Sequence, residues 1–183
     1  APALVALAQR IEGAVFRFTF WFMRKLSIER ALQLSAFVFG LAGLRSDKAG
    51  KARENLAIAF PEKSDSERRR IARAMWANMG RVFAETLIFE RIVAAPNTVE
   101  IVDHAKWEAR VREPGPSISC TLHLGSWELA IWPLQLFDRR PAGVYKPLAN
   151  PLANRWLVET RLQLYPSGLI GKGESEDDAK AGQ

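Results

Sequence analysis

The spacing of the apolar residues changes near residue 98, and this change constrains the fold more than any other feature of the chain. Before it, apolar residues follow helical spacing; after it, short runs have the composition of β-strands. Helical stretches, at about 104–112, 126–138 and 151–165, separate these runs. Because strands that alternate with helices form parallel sheets, we expect an α/β fold, with a mainly parallel sheet flanked by helices. The strand candidates are 99–102 and 117–122, with 143–145 and 168–170 as weaker ones.

The first 45 residues stand apart because two apolar runs, 14–23 and 31–44, follow each other closely. Each is shorter than the roughly 20 residues of a membrane-spanning helix, and a signal peptide fits poorly because Arg17 interrupts the first run. We predict two helices that lie in the membrane interface or form one short, tilted anchor. The alternative is an aromatic-rich helical hairpin packed on the rest of the protein. The predicted domains are an apolar N-terminal helical membrane anchor over 1–45 and an α/β domain over 46–183.

A basic segment at 46–63 is interpreted as a turn-like connection to a long helix. The helix start is well marked, since Ser64 can cap it and Glu67 can reach back, as in a capping box. Helical spacing of apolar residues then continues as far as Leu87. The arginines of its early turns, at 68–70 and 73, form either a solvated face or contacts to phosphate.

Lysine and arginine outnumber acidic residues by 26 to 20, which gives a formal charge of +6. Such a surplus favours anionic partners: phospholipid headgroups, phosphorylated substrates, an acidic protein or nucleic acid. No recognition-helix, RRM or OB pattern accompanies the charge, so we predict no nucleic-acid partner. One cysteine and two histidines make a zinc site of these ligands untenable, and we predict neither a metal nor a cofactor.

The candidate catalytic residues lie where the strand candidate at 117–122 passes through a Gly-Ser turn into the next helix. This order places His123 at the carboxyl end of a strand, where α/β sheets hold their ligands. Across the turn, Glu128 can approach His123 from the first helical turn. A carboxylate that orients a histidine makes a general base, and the backbone amides of the turn can stabilise an oxyanion. On spacing alone, the alternative is a turn histidine beside an exposed glutamate.

Two other residues with reactive side chains are weaker candidates. Cys120 lies close to His123 and invites a cysteine-nucleophile interpretation. A strand position of this kind is expected to be apolar and buried, and buried free cysteine is common, so we predict no catalytic role for it. The lone cysteine also excludes an intramolecular disulfide and fits a reducing compartment. His104 has no partner pattern and is expected at the surface.

The run His-Leu-Gly-Ser-Trp-Glu-Leu at 123–129 resembles the signature of the bacterial lipid A late acyltransferases, HLGNWEL within a His-x4-Asp/Glu motif of lysophospholipid-acyltransferase-like enzymes. The apolar start and the helix after Ser64 also match the layout of that family. Further stretches match in order: Asn55-Leu56 with Phe60-Pro61, the run Tyr-Lys-Pro-Leu-Ala-Asn-Pro at 145–151, and Arg161 before Gly168-Leu169-Ile170.

The resemblance implies transfer of a fatty acyl group from the thioester of acyl carrier protein to a hydroxyl of a lipid A precursor. His123 would take the hydroxyl proton while Glu128 holds its ring, with no metal or covalent intermediate. The implied location is the cytoplasmic face of the bacterial inner membrane, with membrane lipids as further partners. Substrate-binding candidates are Arg161 and Lys146, for phosphate or the acyl carrier protein, together with Ser126 and Asn150.

Some of these residues have a second interpretation or depart from the family pattern. Asn150 is first of all a favourable cap for the helix that begins at Pro151, and Arg161 suits a helix C-terminus. Ser126 replaces the usual asparagine, and Lys146 stands where arginine is commoner. The further strands of the family and its later Asp-Gln segment are absent, so we expect the chain to be C-terminally truncated.

Two other functions remain open from the sequence. The first is an acyltransferase acting on another glycolipid or on a glycerophospholipid, because the same catalytic pair would serve either acceptor. The second is a non-catalytic basic membrane-binding module, which would use the N-terminal helices and the basic surface alone and would leave the His-x4-Glu motif without a role.

Overall fold

The computed structural model describes residues 2–122 and 124–173, apart from the side chains of residues 2 and 3. The chain forms two compact units. One joins the residues up to Phe22 with those from Pro96 onward, and Met23–Ala95 forms the other. The predicted boundary at residue 45 separates an anchor from an enzymatic domain; it is a functional division and stays a prediction.

Helices account for most of the regular structure in the described residues. The α-helices are α1 (Pro2–Lys25), α2 (Ile28–Ala42), α3 (Ala49–Ala59), α4 (Asp65–Leu87), α5 (Phe89–Ala94), α6 (His104–Arg112), α7 (Trp132–Leu136) and α8 (Pro151–Arg161). Short 3₁₀ helices occupy Gly43–Arg45 and Leu129–Ile131. The strands are β1 (Gly143–Tyr145) and β2 (Leu169–Gly171).

The described residues are mostly helical, and their sheet is parallel, as predicted, but it has two strands and does not form the main layer of the fold. β1 and β2 run parallel, with Gly143 opposite Leu169 and Tyr145 opposite Gly171. The two weaker strand candidates are therefore the ones that pair. The segments 99–102 and 117–122 are not strands, because neither forms a backbone ladder with a neighbour. Residues such as Ile118 are typical of half-buried strands, but in this structure Ile118 is 94% exposed.

The unit formed by residues 23–95 is built on the packing of α2 against α4. Gly80 of α4 permits a close approach, since a Cβ atom there would lie 2.4 Å from the carbonyl oxygen of Ser35. The Ser35 hydroxyl in turn donates a buried 2.7 Å hydrogen bond to the carbonyl of Gly80. One turn further along, Phe39 and Phe83 pack with their ring centroids 5.3 Å apart.

The start of α4 confirms the predicted capping box. The Ser64 hydroxyl accepts from the Glu67 amide, and the Glu67 carboxylate accepts from the Ser64 amide at 2.8 Å. The turn-like connection predicted at 46–63 is wrong, because α3 occupies Ala49–Ala59. Its alanine, lysine, arginine, glutamate and leucine residues are good helix formers, a preference stronger than the turn signals at its ends.

In the other unit, the first part of α1 packs on α8. Phe16 and Phe20 both contact the ring of Trp156, Phe20 edge-on at 5.0 Å between centroids. Asn150 joins the same two helices through its side chain, whose amide nitrogen donates to the carbonyl of Gln9 and to the Glu12 carboxylate. Two helices were predicted over residues 1–45, and α1 and α2 confirm them. Within the described residues, none of the helices is long and apolar enough to cross a bilayer.

Candidate active site

The segment around Glu128 folds as a series of tight turns rather than as the first turn of an α-helix. Gly125 has a φ of +59°, a left-handed conformation that glycine adopts without strain. Bonds from the amide of Leu129 to the carbonyl of Ser126 and from Ile131 to Glu128, at 3.1 and 3.2 Å, then continue into the 3₁₀ helix. The predicted helix at 126–138 is therefore shortened, and α7 begins only at Trp132. Pro133 lies in the first turn of α7, where its missing amide is tolerated, and it would break a helix that continued from the residues before it.

Glu128 is the most deeply buried carboxylate of this segment, with 2% of its surface exposed. Its Oε1 atom pairs with Nη2 of Arg161, which lies in the last turn of α8. The other carboxylate oxygen, Oε2, is buried and has no hydrogen bond of ordinary geometry in the described residues, and the same holds for Nε of Arg161. The glutamate is thus held through Oε1, while Oε2 keeps the capacity to accept a hydrogen bond.

Tyr165 completes the surroundings of this ion pair. Burial, followed by the negative charge of Glu128, raises the pKa of the phenol to about 12, although the positive charge of Arg161 opposes the shift. The Tyr165 hydroxyl therefore stays protonated over the physiological range and can donate towards the Glu128 carboxylate. The chain geometry supports this placement: the Tyr165 amide bonds to the carbonyl of Arg161 at 3.1 Å, and its ring lies against Gly143, where a Cβ atom would come within 2.6 Å of it.

An open cleft of about 900 Å³ lies beside Tyr165. Its walls combine apolar side chains with three arginines, and one wall is the exposed segment at 117–121. Arg139 is engaged by the protein itself, since it donates to the carbonyls of Val111 and Glu113. Tyr165 lines this cleft and also lies beside the buried pair of Glu128 and Arg161.

The predicted site residues fall into different environments. His123 lies outside the described residues, so its pairing with Glu128 stays a prediction. Lys146 is exposed. Asn150 is buried and caps α8, accepting from the amides of Leu152 and Ala153, which confirms the predicted cap. The hydroxyl oxygen of Ser126 is buried and without a hydrogen-bond partner in the part of the chain that the structure describes.

Sequence reasoning missed the role of Arg161 as the partner of Glu128, and it missed Tyr165 altogether. The sequence did hold a signal for Tyr165. This residue follows Arg161 by four positions, a separation that in a helix places two side chains on the same face. The burial predicted for Cys120 is wrong, since that residue is exposed in the unpaired segment. His104 is exposed, as expected, and its ring contacts Phe137. In residues 2–122 and 124–173, no group of three His, Cys, Asp or Glu side chains could hold a metal ion.

Comparison with known proteins assigns the chain to a family. Residues 10–167 match the family described as bacterial lipid A biosynthesis acyltransferase, and this match covers most of the sequence. The chain belongs to this family. The family carries out acyl transfer in the biosynthesis of lipid A, and the buried Glu128 lies in the stretch that resembles its signature. Searches of curated proteins and of solved structures found no match.

Proposed function

We propose that this lipid A biosynthesis acyltransferase moves a fatty acyl group from the thioester of acyl carrier protein to a hydroxyl of a lipid A precursor. His123 acts as the general base, and Glu128 orients it. The observation that carries this proposal is the buried Glu128 carboxylate, five positions after the histidine, with one oxygen bound to Arg161 and the other open. A buried charge with an open acceptor atom is costly unless a donor completes it.

The proposed reaction is a single displacement at the thioester carbonyl. His123 removes the proton from the acceptor hydroxyl as its oxygen bonds to the carbonyl carbon. The carbon–sulfur bond then breaks, and the carrier thiol leaves with the proton that the imidazolium returns. Glu128 stabilises the imidazolium in between, because its negative charge lies next to the ring that becomes positive. The backbone amides of the turn after Gly125 are the candidates for stabilising the oxyanion.

Substrate recognition is proposed for the remaining predicted residues. Lys146 is an exposed cation near the end of β1 and suits a phosphate of the lipid A precursor or an acidic group of the carrier protein. Ser126 has a buried hydroxyl oxygen without a partner in the described residues, which a substrate hydroxyl or carbonyl would satisfy. Asn150 is committed to capping α8 and to α1, so any contact that it makes with substrate is secondary to that role.

We further propose that the protein acts at the cytoplasmic face of the inner membrane and lies on it through α1. An apolar stripe runs along the exposed side of this helix, and flanking basic residues suit anionic headgroups. The inner side of the helix is occupied by the contacts of Phe16 and Phe20 with Trp156. The members of the α1 stripe are Leu4, Leu7, Ile11, Val15, Phe18 and Phe22, at helical spacing.

The product of the reaction tests the proposed function. Lipid A from cells with and without the gene is compared by mass spectrometry, with the His123→Ala gene as the control for catalysis. The proposal expects one acyl chain fewer on lipid A without the gene or with the variant. Unchanged lipid A together with a lost acyl chain on another glycolipid or glycerophospholipid would instead identify that lipid as the acceptor. Restoration by the His123→Ala gene would favour a non-catalytic membrane-binding module.

A further inference from the structure

We propose that Arg161 is a positioning residue for acyl transfer: it binds one oxygen of the Glu128 carboxylate, which holds this side chain in place and supplies a positive charge beside it. This inference rests on the proposed function. It also gives Arg161 a different task from the contact with substrate phosphate that its charge and its place after the Tyr-Lys-Pro run suggest.

The geometry of the pair assigns this task. Nη2 of Arg161 takes Oε1 of Glu128, and in residues 2–122 and 124–173 the glutamate makes no other ion pair. A carboxylate bound to a guanidinium through one oxygen keeps its second oxygen for another donor, and the charge-assisted bond limits the positions that the side chain can take. That oxygen is buried and has no hydrogen bond of ordinary geometry in the described residues, with the Tyr165 hydroxyl as its neighbour, so it can still accept from an imidazole ring.

Because the pair is buried, Arg161 is needed to balance the charge of the Glu128 carboxylate as well as to hold it in position. Side-chain exposure is 3% for Glu128 and 19% for Arg161. An isolated ionised carboxylate at such a place would be strongly disfavoured and would take up a proton instead. Arg161 is itself fixed by its position in the last turn of α8, whose first turn is capped by Asn150. The guanidinium is therefore carried by a helix that is anchored at its other end.

Removing the cation should have a specific effect on the pH dependence of the reaction. The active form of the site needs a neutral histidine and an ionised glutamate. A nearby positive charge disfavours forms with an additional proton, wherever in the pair that proton resides. Without the positive charge of Arg161, the forms of the site with an additional proton, which are inactive, persist to higher pH. A phosphate-binding arginine would act differently, because its loss would weaken binding of the lipid A precursor at every pH.

The test is the pH profile of kcat for acyl transfer by the full-length protein carrying Arg161→Gln, with Arg161→Lys as the conservative variant. We expect Arg161→Gln to move the acidic limb upward by about one pH unit or more, which corresponds to about a tenfold loss on that limb that closes at higher pH. Arg161→Lys should keep the limb close to that of wild type. Added methylguanidinium should restore part of the activity of Arg161→Gln. The matched control is Arg155→Gln on the exposed side of α8, where Arg155 pairs with Glu159.

Two results would overturn the inference. One is a rise in KM for the lipid A precursor with an unchanged kcat profile, which would return Arg161 to phosphate binding. The other is an equal loss of kcat at every pH. If Arg161→Gln does not fold, Arg161→Lys decides the question. A positioning role predicts that this variant has a lower kcat while the acidic limb of its pH profile stays in place, and a phosphate contact predicts a higher KM. These outcomes are distinct from failure of the proposed function, in which His123→Ala would retain activity.

Discussion

The carboxylate of Glu128 and the guanidinium of Arg161 form an ion pair between residues 33 positions apart, one in a turn and the other at the end of α8. Buried pairs of this kind add little net stability, because the cost of desolvation offsets the attraction, yet loss of one partner costs about 3–5 kcal/mol. Because such a pair adds little stability, a role in the reaction explains its presence better than a role in folding does. The second oxygen of Glu128, Oε2, has no hydrogen bond of ordinary geometry in the described residues, and it is the atom proposed to accept from His123.

Replacement of Tyr165 tests its place beside the pair. The raised pKa of Tyr165, about 12, means that the folded protein holds the phenol proton more tightly than the unfolded chain does. The stability from this group is therefore complete below about pH 10 and is lost as pH rises from about 10 towards 12. Tyr165→Phe should unfold with a weaker dependence on pH in that window. Denaturant unfolding of both proteins across the window measures this, and equal slopes would contradict the burial of the Tyr165 phenol beside Glu128.

Substitutions at Asn150 separate its two structural roles. Asn150→Asp keeps the acceptor that caps α8 but replaces the donor to Gln9 and Glu12 with a negative charge next to the Glu12 carboxylate. Asn150→Ala loses cap and donor together, and loss of the cap alone costs about 1 kcal/mol. We expect both variants to be less stable and α1 to exchange its amide hydrogens faster in each. Wild-type exchange in α1 of Asn150→Asp would show that the bonds to α1 contribute nothing.

The close approach of α2 and α4 predicts opposite outcomes for two glycines. Gly80→Ala should destabilise the protein, because its Cβ atom would overlap the backbone of Ser35 at 2.4 Å. The gain of about 1 kcal/mol in helix propensity cannot offset that overlap. Gly50→Ala, in α3, has nothing within 4 Å of its Cβ atom and should be neutral or stabilising. Melting temperatures compare them, and a Gly80→Ala protein as stable as Gly50→Ala would show that the helices do not pack this closely.

The α1 stripe predicts binding to anionic membranes. Replacing Ile11, Val15 and Phe18 with serine should lower binding to phosphatidylglycerol vesicles at least about tenfold, since a buried side chain of this size contributes about 1.5–3 kcal/mol. Ile58→Ser is the matched control, because Ile58 is an exposed apolar residue outside the stripe. Vesicle flotation at low and high salt measures the apolar and ionic parts separately. Unchanged flotation of the triple variant would contradict the proposed contact.

The sequence predicted local structure better than it predicted pairing. The capping box at Ser64, the bounds of α6 and the cap at Asn150 follow from contacts within one or two turns, which a local pattern determines. A strand exists only through its neighbour, and no local pattern shows that the segment at 117–122 lacks a ladder partner. The pairing of Glu128 with Arg161 is likewise long-range, and charge alone pointed Arg161 towards phosphate instead.

The most direct test of the proposed catalytic pair is the initial rate of acyl transfer from acyl carrier protein thioester to a lipid A precursor, with folding checked by circular dichroism. We predict that His123→Ala lowers this rate by on the order of 10²–10⁴-fold, the usual contribution of a positioned proton acceptor. Glu128→Gln should also be severe, and the double variant little worse than His123→Ala, because the two residues act as a unit. Cys120→Ala should retain most activity. A folded His123→Ala protein with a rate within a few-fold of wild type would contradict the account.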